Sequence, residues 1–230
     1  MTDVKAGVEY KINFNGKSFL LDNKKFELLE NILNTGSITE ASKLIKVSYR
    51  TALNYIEKIE SSLDVRIVNT TKGGKGGGGS TTLTCEGYSI LKECKKINAI
   101  MELHRDVNEI EAKVFDIDPS KGVMTIEMES IKINIPLNKN YKIGDKVLAL
   151  ISYDNIFLML EPQESSIRNV LKGKIVEMKL SNEIIRVKID IGGIFLYSDI
   201  TVSAEKELDL TLGKDVYVGF KAMSVATLKL

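Results

Sequence analysis

The chain is poor in the groups that catalysis most often uses. Its 230 residues include one histidine, His104, and two cysteines, Cys85 and Cys94. No nucleophile–base pattern and no metal-ligand spacing accompanies them, so hydrolysis and a zinc site have no support and an enzyme is not expected. The two cysteines stand nine residues apart in one expected helix and face different sides. A disulfide needs Cα atoms within about 7 Å, which that spacing on a helix does not give. A reducing, cytoplasmic setting is therefore expected. No apolar run reaches the roughly 18 residues of a membrane span. The start of the chain has no basic segment followed by an apolar stretch, so secretion is not expected. Charge of one sign is scarce as well: 32 Lys and Arg stand against 31 Asp and Glu. The balance hides a mild asymmetry, because residues 1–84 hold 12 basic and 9 acidic side chains and the remainder holds 20 and 22. Any affinity for nucleic acid has to come from placed charges instead of a polycationic arm.

What the chain does have is a distinctive stretch at residues 48–84. A helical pattern runs through Tyr49, Leu53, Ile56 and Leu63, and a β-type run follows from Val65 to Val68. A glycine-rich loop with Lys72 and Lys75 leads to a second β-type run, Thr81 to Thr84. Helix, strand, loop and returning strand make the second half of a winged helix-turn-helix. The loop is not a phosphate-cradling Walker A loop, because the Gly-Lys-Ser/Thr order is absent and two β-type runs flank it. Gly76–Ser80 also spells a common engineered linker, but threonines alternate with Val68 and Leu83 across the glycines, as a hairpin requires.

Upstream, Asn15-Gly16 between alternating segments predicts a tight hairpin. Leu21, Phe26, Leu29, Ile32 and Leu33 form a helical stripe that ends at Gly36. Ser37-Ile38-Thr39-Glu40 reads as a capping box opening a short helix to Ile45, with Ser48 capping the next. Ser48, Tyr49, Arg50 and Asn54 then occupy the outer face or first turn of a reading helix, Arg50 suited to guanine or phosphate and Asn54 to adenine or phosphate. Lys72 and Lys75 suit phosphates. A plain helical hairpin with a solvated polar face is the bland alternative. Residues 85–110 read as one long helix carrying Tyr88, Leu91, Cys94, Ile97, Met101, Leu103, Val107 and Ile110. It is either a dimerisation helix or a helix folded back on the N-terminal domain.

From about residue 110 the pattern turns to short β-type runs: 111–115, 123–128, 131–135, 146–152 and 156–160, then 171–179, 184–190, 194–197, 215–221 and 225–229. Lys142-Ile-Gly-Asp-Lys-Val-Leu148 is echoed by Thr211-Leu-Gly-Lys-Asp-Val-Tyr217. The pattern predicts two small oligonucleotide-fold barrels related by an internal repeat. The expected class is α+β, with a DNA-binding domain at 1–84, a dimerisation helix at 85–109 and barrels at 110–162 and 165–230. Ser165–Asn169, Ser198–Ser203 and Phe220–Val225 bring hydroxyls, one Arg and one Lys to strand ends. Such groups can surround a tetrahedral dianion, which needs several donors and about two positive charges. They can equally be scattered surface polars.

Residues 37–53 and 73–84 closely resemble the DNA-binding domain of ModE-like molybdate-responsive transcription regulators. Ser165–Gly173 and Phe220–Val225 are similar to the molybdate/tungstate-binding barrels, called Mop or TOBE domains, that this family carries in tandem. The resemblance covers essentially the whole chain. It implies a homodimer on a double-stranded DNA operator, with no membrane partner, and a molybdate or tungstate ligand held at the interface between barrels of the dimer. No organic cofactor is implied. It carries oxyanion binding onto Ser166, Arg168, Lys221 and Ala222, and onto Thr201 and Ser203. The family usually places a serine where this chain has Ala204, so Ser203 comes one position early. The first barrel has neither motif. A storage or buffering protein for the same anions, and a DNA-binding regulator whose barrels only make protein contacts, are the competing readings.

Overall fold

The structure is a computed structural model, and it describes residues 8–71 and 79–230. The chain divides into two units, Met1–Ile100 and Met101–Leu230.

The first unit opens with the hairpin β1 (Tyr10–Phe14) and β2 (Lys17–Leu21), paired Tyr10↔Leu21 through Phe14↔Lys17. Asn15 and Gly16 have φ of 46° and 79°, the two positive values that a two-residue turn of this hand requires. Helix α1 (Asn23–Thr35) starts on the Asp22 carboxylate and stops at left-handed Gly36. Helix α2 (Ile38–Leu44) is capped by the Ser37 side chain, which accepts from the Glu40 N–H. The expected capping box is only half made, because the Glu40 carboxylate pairs with Lys43 at 2.9 Å. Helix α3 (Tyr49–Leu63) begins at Ser48 and ends at Asp64 with φ 52°. Leu28, Leu29, Ile32, Ala41, Ala52, Ile59 and Ile67 are the fully buried centre of this unit.

Strands β3 (Val68–Thr71) and β4 (Ser80–Leu83) form an antiparallel ladder from Val68↔Leu83 to Thr71↔Ser80. The first strand begins later than expected. The Glu60 carboxylate accepts from the N–H groups of Ile67 and Val68 at 2.8 and 3.3 Å, satisfying donors outside the ladder. Helix α4 (Cys85–Leu103) follows. Ile90, Leu91 and Cys94 bury into the first unit's core, whereas Ile97, Ile100, Met101 and Leu103 are exposed. Gly87 is required where α4 backs onto the residue preceding β3, since a Cβ there would stand 2.2 Å from the Ile67 carbonyl oxygen.

The helix does not continue to 110 as expected. Val107 opens strand β5 (Val107–Asp118), in which Asn108, Ile110, Ala112 and Val114 alternate inward. Val107 and Ile110 fit a helical stripe by spacing, but the period of the following residues is two. Strands β6 (Val123–Met128), β7 (Ile131–Pro136) and β8 (Lys146–Ser152) follow, then a 3-10 turn at Tyr153–Asn155 and the short β9 (Phe157–Met159). The second copy comprises β10 (Asn169–Ser181), β11 (Ile184–Asp190), β12 (Phe195–Thr201), β13 (Asp215–Phe220), a 3-10 turn at Ala222–Ser224 and β14 (Val225–Lys229). Helix α5 (Val202–Glu207), which the sequence patterning missed, sits between β12 and β13.

The strand order departs from two separate barrels. One sheet runs β14-β8-β5-β6-β7 and the other β12-β11-β10-β13-β9. The two copies have exchanged their last strands: β9 pairs with β13, and β14 pairs with β8. A clean break near residue 162 therefore does not describe the sheets. The two copies also share one continuous hydrophobic core, which includes Ile126, Ile151, Val187, Val218 and Phe220.

The internal repeat is visible in backbone detail. The Gly144 N–H donates to Val114 O and the Gly213 N–H to Ile175 O, both at 2.8 Å. Both glycines have positive φ, 90° and 82°. Each copy bends at the matching place, with a register shift at Val114/Asp116 in one and Ile175/Glu177 in the other.

Candidate oxyanion and nucleic-acid surfaces

In the first unit, Ser48, Tyr49, Arg50 and Asn54 occupy the first two turns of α3 and all four are exposed. The Ser48 hydroxyl is engaged as a cap, accepting from the Thr51 N–H at 3.0 Å and lying 2.8 Å from the Thr51 hydroxyl. Arg50 and Asn54 are four residues apart, so they share one face of the helix. Lys72 and Lys75 lie outside the described residues. The ladder that brackets them is present, and at its outer rung the Thr71 and Ser80 hydroxyls are 2.8 Å apart.

The second unit is organised around two asparagines. Buried Asn169, the first residue of β10, accepts from the Asn134 N–H at 2.7 Å and donates to the Asn134 carbonyl at 2.9 Å. It thereby fastens the start of the second copy to β7, an outer strand of the first copy's sheet. Asn108 does the reverse: it accepts from the Tyr197 N–H at 2.7 Å and donates to Tyr197 O at 3.0 Å, fastening the first copy to β12. The sequence patterning passed over Asn108, although an Asn before an alternating run in each copy is a readable signal.

The clamp at Asn169 positions the cationic residues. Asn169 pairs with Phe220 in the last rung of the β10–β13 ladder, so Arg168 and Lys221 are the next residues outward on the two segments. Both are exposed. The Arg168 guanidinium donates to the Ser165 carbonyl at 2.7 Å. Among the described residues neither cation has a carboxylate partner. Ser166 is exposed two residues before Arg168, and Ala222 is buried at the start of its turn, behind Lys221.

Thr201 and Ser203 are not part of this group within one chain. Thr201 pairs with Ile184, and Ile184 with Ser181, at the far end of the 13-residue β10 from Asn169. The Thr201 hydroxyl accepts from the Ala204 N–H at 3.2 Å as the cap of α5. The Ser203 hydroxyl donates to the Glu207 carboxylate at 2.7 Å. That partner ties up the proton an anion would need and sets a negative charge beside it.

The matching position in the first copy has different chemistry. With Asn108 aligned to Asn169 and Ile151 to Phe220, Val107 stands for Arg168 and Ser152 for Lys221. Neither of these two positions carries a cation. Beside it lies a network that no sequence motif announced. The Arg186 guanidinium donates to both oxygens of Asp199, each at 2.8 Å, and to Asp106 at 2.5 Å. It lies over the Tyr153 ring, 4.6 Å from its centroid. Tyr153 in turn stacks on Tyr197 at 5.2 Å. The bonds to Asp199 first and Asp106 second hold the Arg186 pKa well above its ordinary value, and burial raises that of the Tyr153 hydroxyl. A cavity of about 570 Å3 is lined by Asp106, Tyr153, Arg186, Asp199 and Thr201 among others.

Comparison with known proteins places these features in context. Residues 165–227 match the TOBE domain family. The chain is 26% identical over 203 residues to the transcriptional regulator ModE of Yersinia pestis, covering 87% of this chain and 63% of that protein. It is 25% identical over 243 residues to the molybdenum transport protein ModE of Herbaspirillum seropedicae, covering 89% and 90%. It is 31% identical over 100 residues to the molybdate/tungstate import ATP-binding protein WtpC of Pyrococcus abyssi, covering 44% of this chain. That match spans only 28% of the import protein's length. A crystal structure of the cytoplasmic molybdate-binding protein ModG superimposes with a TM-score of 0.48 at 20% identity, over 52% of this chain and 94% of that one.

Proposed function

We propose that this chain, a TOBE-domain protein similar over most of its length to ModE regulators, is a cytoplasmic, molybdate- or tungstate-sensing transcription regulator. The first unit is read as a winged helix-turn-helix. Its α3 enters a major groove with Arg50 and Asn54 facing base edges, and the loop at 72–78 brings Lys72 and Lys75 to phosphates. Ser48 supports this surface by setting the start of α3. The protein acts as a homodimer on duplex DNA, with the exposed Ile97, Ile100 and Met101 of α4 forming part of the seam.

The observation that supports the sensing half is that Arg168 and Lys221 directly flank the Asn169↔Phe220 rung, with no carboxylate paired to either among the described residues. Two uncompensated cations on neighbouring strands match the charge of a tetrahedral dianion, and charge-assisted donors are the strong ones. Thr201 and Ser203 sit too far along β10 to join them in one chain, so a dimer is the natural way to bring one protomer's pair to its partner's cations. The first copy offers Val107 and Ser152 in place of the cations, which supports one oxyanion position per chain. Bound anion then biases the dimer between two arrangements, and it can do so only by its differential affinity for them.

Calorimetric titration with molybdate, tungstate and sulfate tests the reading, using the full chain and its Lys221→Met variant. Saturable heat is expected with molybdate or tungstate. The variant should weaken it by about 10- to 100-fold, as expected for one hydrogen bond to a charged group. No heat from either metal oxyanion on folded protein defeats the sensing half.

A further inference from the structure

We propose that Arg186 is a positioning residue that transmits the state of the anion-sensing sheets to the connector leading from α4. The inference rests on the sensing function proposed above and assigns a coupling role to residues outside the ligand set.

Asp106 lies three residues beyond the end of α4, on the only covalent path between the two units. It is held twice. Its carboxylate accepts from Arg186, and its backbone carbonyl accepts from the Tyr153 N–H at 3.1 Å. The other end of the Arg186 fork grips Asp199 through two bonds. Asp199 lies on β12 two residues before Thr201, so the two side chains project from the same face of that strand. One guanidinium thus bridges the connector and the strand that ends in a proposed oxyanion donor. A planar fork stacked on an aromatic ring holds both partners in a defined geometry, which a flexible lysine would not.

The internal repeat shows that the cluster is not part of the barrel plan. Arg186 pairs with Asp199 across β11 and β12, and the matching pair across β6 and β7 is Val123 and Pro136. With Asn169 aligned to Asn108, the residue matching Asp106 is Ile167. The corresponding end, with Ile167 from the second copy and Val123 and Pro136 from the first, therefore carries three apolar residues. The charged triad, Asp106 from the first copy with Arg186 and Asp199 from the second, stands only at the end joined to α4, where a joint is useful and a barrel alone does not need one.

The test uses the full-length protein with Arg186→Met, and with Asp106→Asn as a second variant that leaves the Arg186–Asp199 pair in place. Three quantities are measured. They are molybdate affinity by calorimetry, the ratio of DNA affinities with and without molybdate, and hydrogen exchange at the Tyr153 amide. The DNA is a duplex selected from random sequence by the wild-type protein. The variants are expected to bind molybdate within about threefold of wild type. The molybdate-induced change in DNA affinity, about 5- to 150-fold for ordinary allosteric coupling, should fall towards one. Tyr153 exchange should speed up. An unchanged affinity ratio overturns the proposal. Loss of molybdate binding together with coupling also overturns it, because Arg186 would then be a ligand. A wild type that shows no molybdate response defeats the sensing function instead, and a Tyr153 amide as protected in Asp106→Asn as in wild type then overturns the joint independently.

Discussion

Replacing Asn169 by alanine should unfasten the second unit with a cost that its geometry fixes. The Asn169 side chain is the hydrogen-bond partner of both the N–H and the carbonyl of Asn134. Asn134 sits on the outer strand β7, so no further strand waits to take those groups over. Each buried backbone group left without a partner costs about 1–3 kcal/mol. Asn134 is partly buried and water can satisfy some of the loss, so the sum should be about 2–4 kcal/mol. At about 1.4 kcal/mol per tenfold, the folding equilibrium moves by roughly 30- to 1,000-fold. Urea unfolding followed by far-ultraviolet circular dichroism reads this directly, as a shift of the second unit's midpoint by about 1–2 M. Asn108→Ala should cost at least as much, because Asn108 makes a third bond to the Ile151 carbonyl at 3.2 Å. The neighbouring exposed Val170→Ala is the control and should change stability by less than about 0.5 kcal/mol. If Asn169→Ala is no more harmful than that control, the clamp is not what holds β7, and the placement of Arg168 and Lys221 loses its support.

Burial pushes the Cys94 thiol up to about 11, whereas Cys85 is exposed. At pH 8 a thiol reagent should therefore modify one cysteine per folded chain quickly and the second only in denaturant; equal rates would contradict the packing of α4 on the first unit. The Asp118 carboxyl is held down to about 2 by the Ser120 hydroxyl first and by Lys121 next. Its folded value lies below the ordinary aspartate range, so its contribution to stability is present above that range and is lost as pH falls through about 2. A carboxyl titration by nuclear magnetic resonance should show this midpoint and find it raised in Ser120→Ala; an ordinary midpoint in the parent would refute it.

Local signals were legible in the sequence because their causes are local. Asn15-Gly16, Gly36 and the Ser37 and Ser48 caps each specify a turn or helix end with two or three neighbouring residues, and all four appear. The repeat was legible through Gly144 and Gly213, which serve the same bend in each copy. The strand exchange was not, because β9 and β14 have the same alternation whichever sheet receives them. The end of α4 was misplaced because Val107 and Ile110 fit both periods over so short a span. Helix α5 has six residues and none fully buried, so it lacked a stripe to detect. Of the candidate site, Arg168 and Lys221 were named from the motif, and the last β10–β13 rung, Asn169↔Phe220, lies directly next to both in the chain. Arg186 could not be found, since its partners lie 13 and 80 residues away.

The exchanged strands also impose an order on synthesis. The sheet that begins at Val107 is completed by Val225–Lys229, so its outer edge stays open while more than seventy residues after β8 are made. At about 5–20 residues per second that is several seconds or more. Nothing of this kind delays the first unit, whose core is assembled from residues 10–94. On the ribosome the part proposed to read DNA can thus mature well before the part proposed to sense an anion exists. A chain interrupted in between would resemble a regulator that has lost its signal.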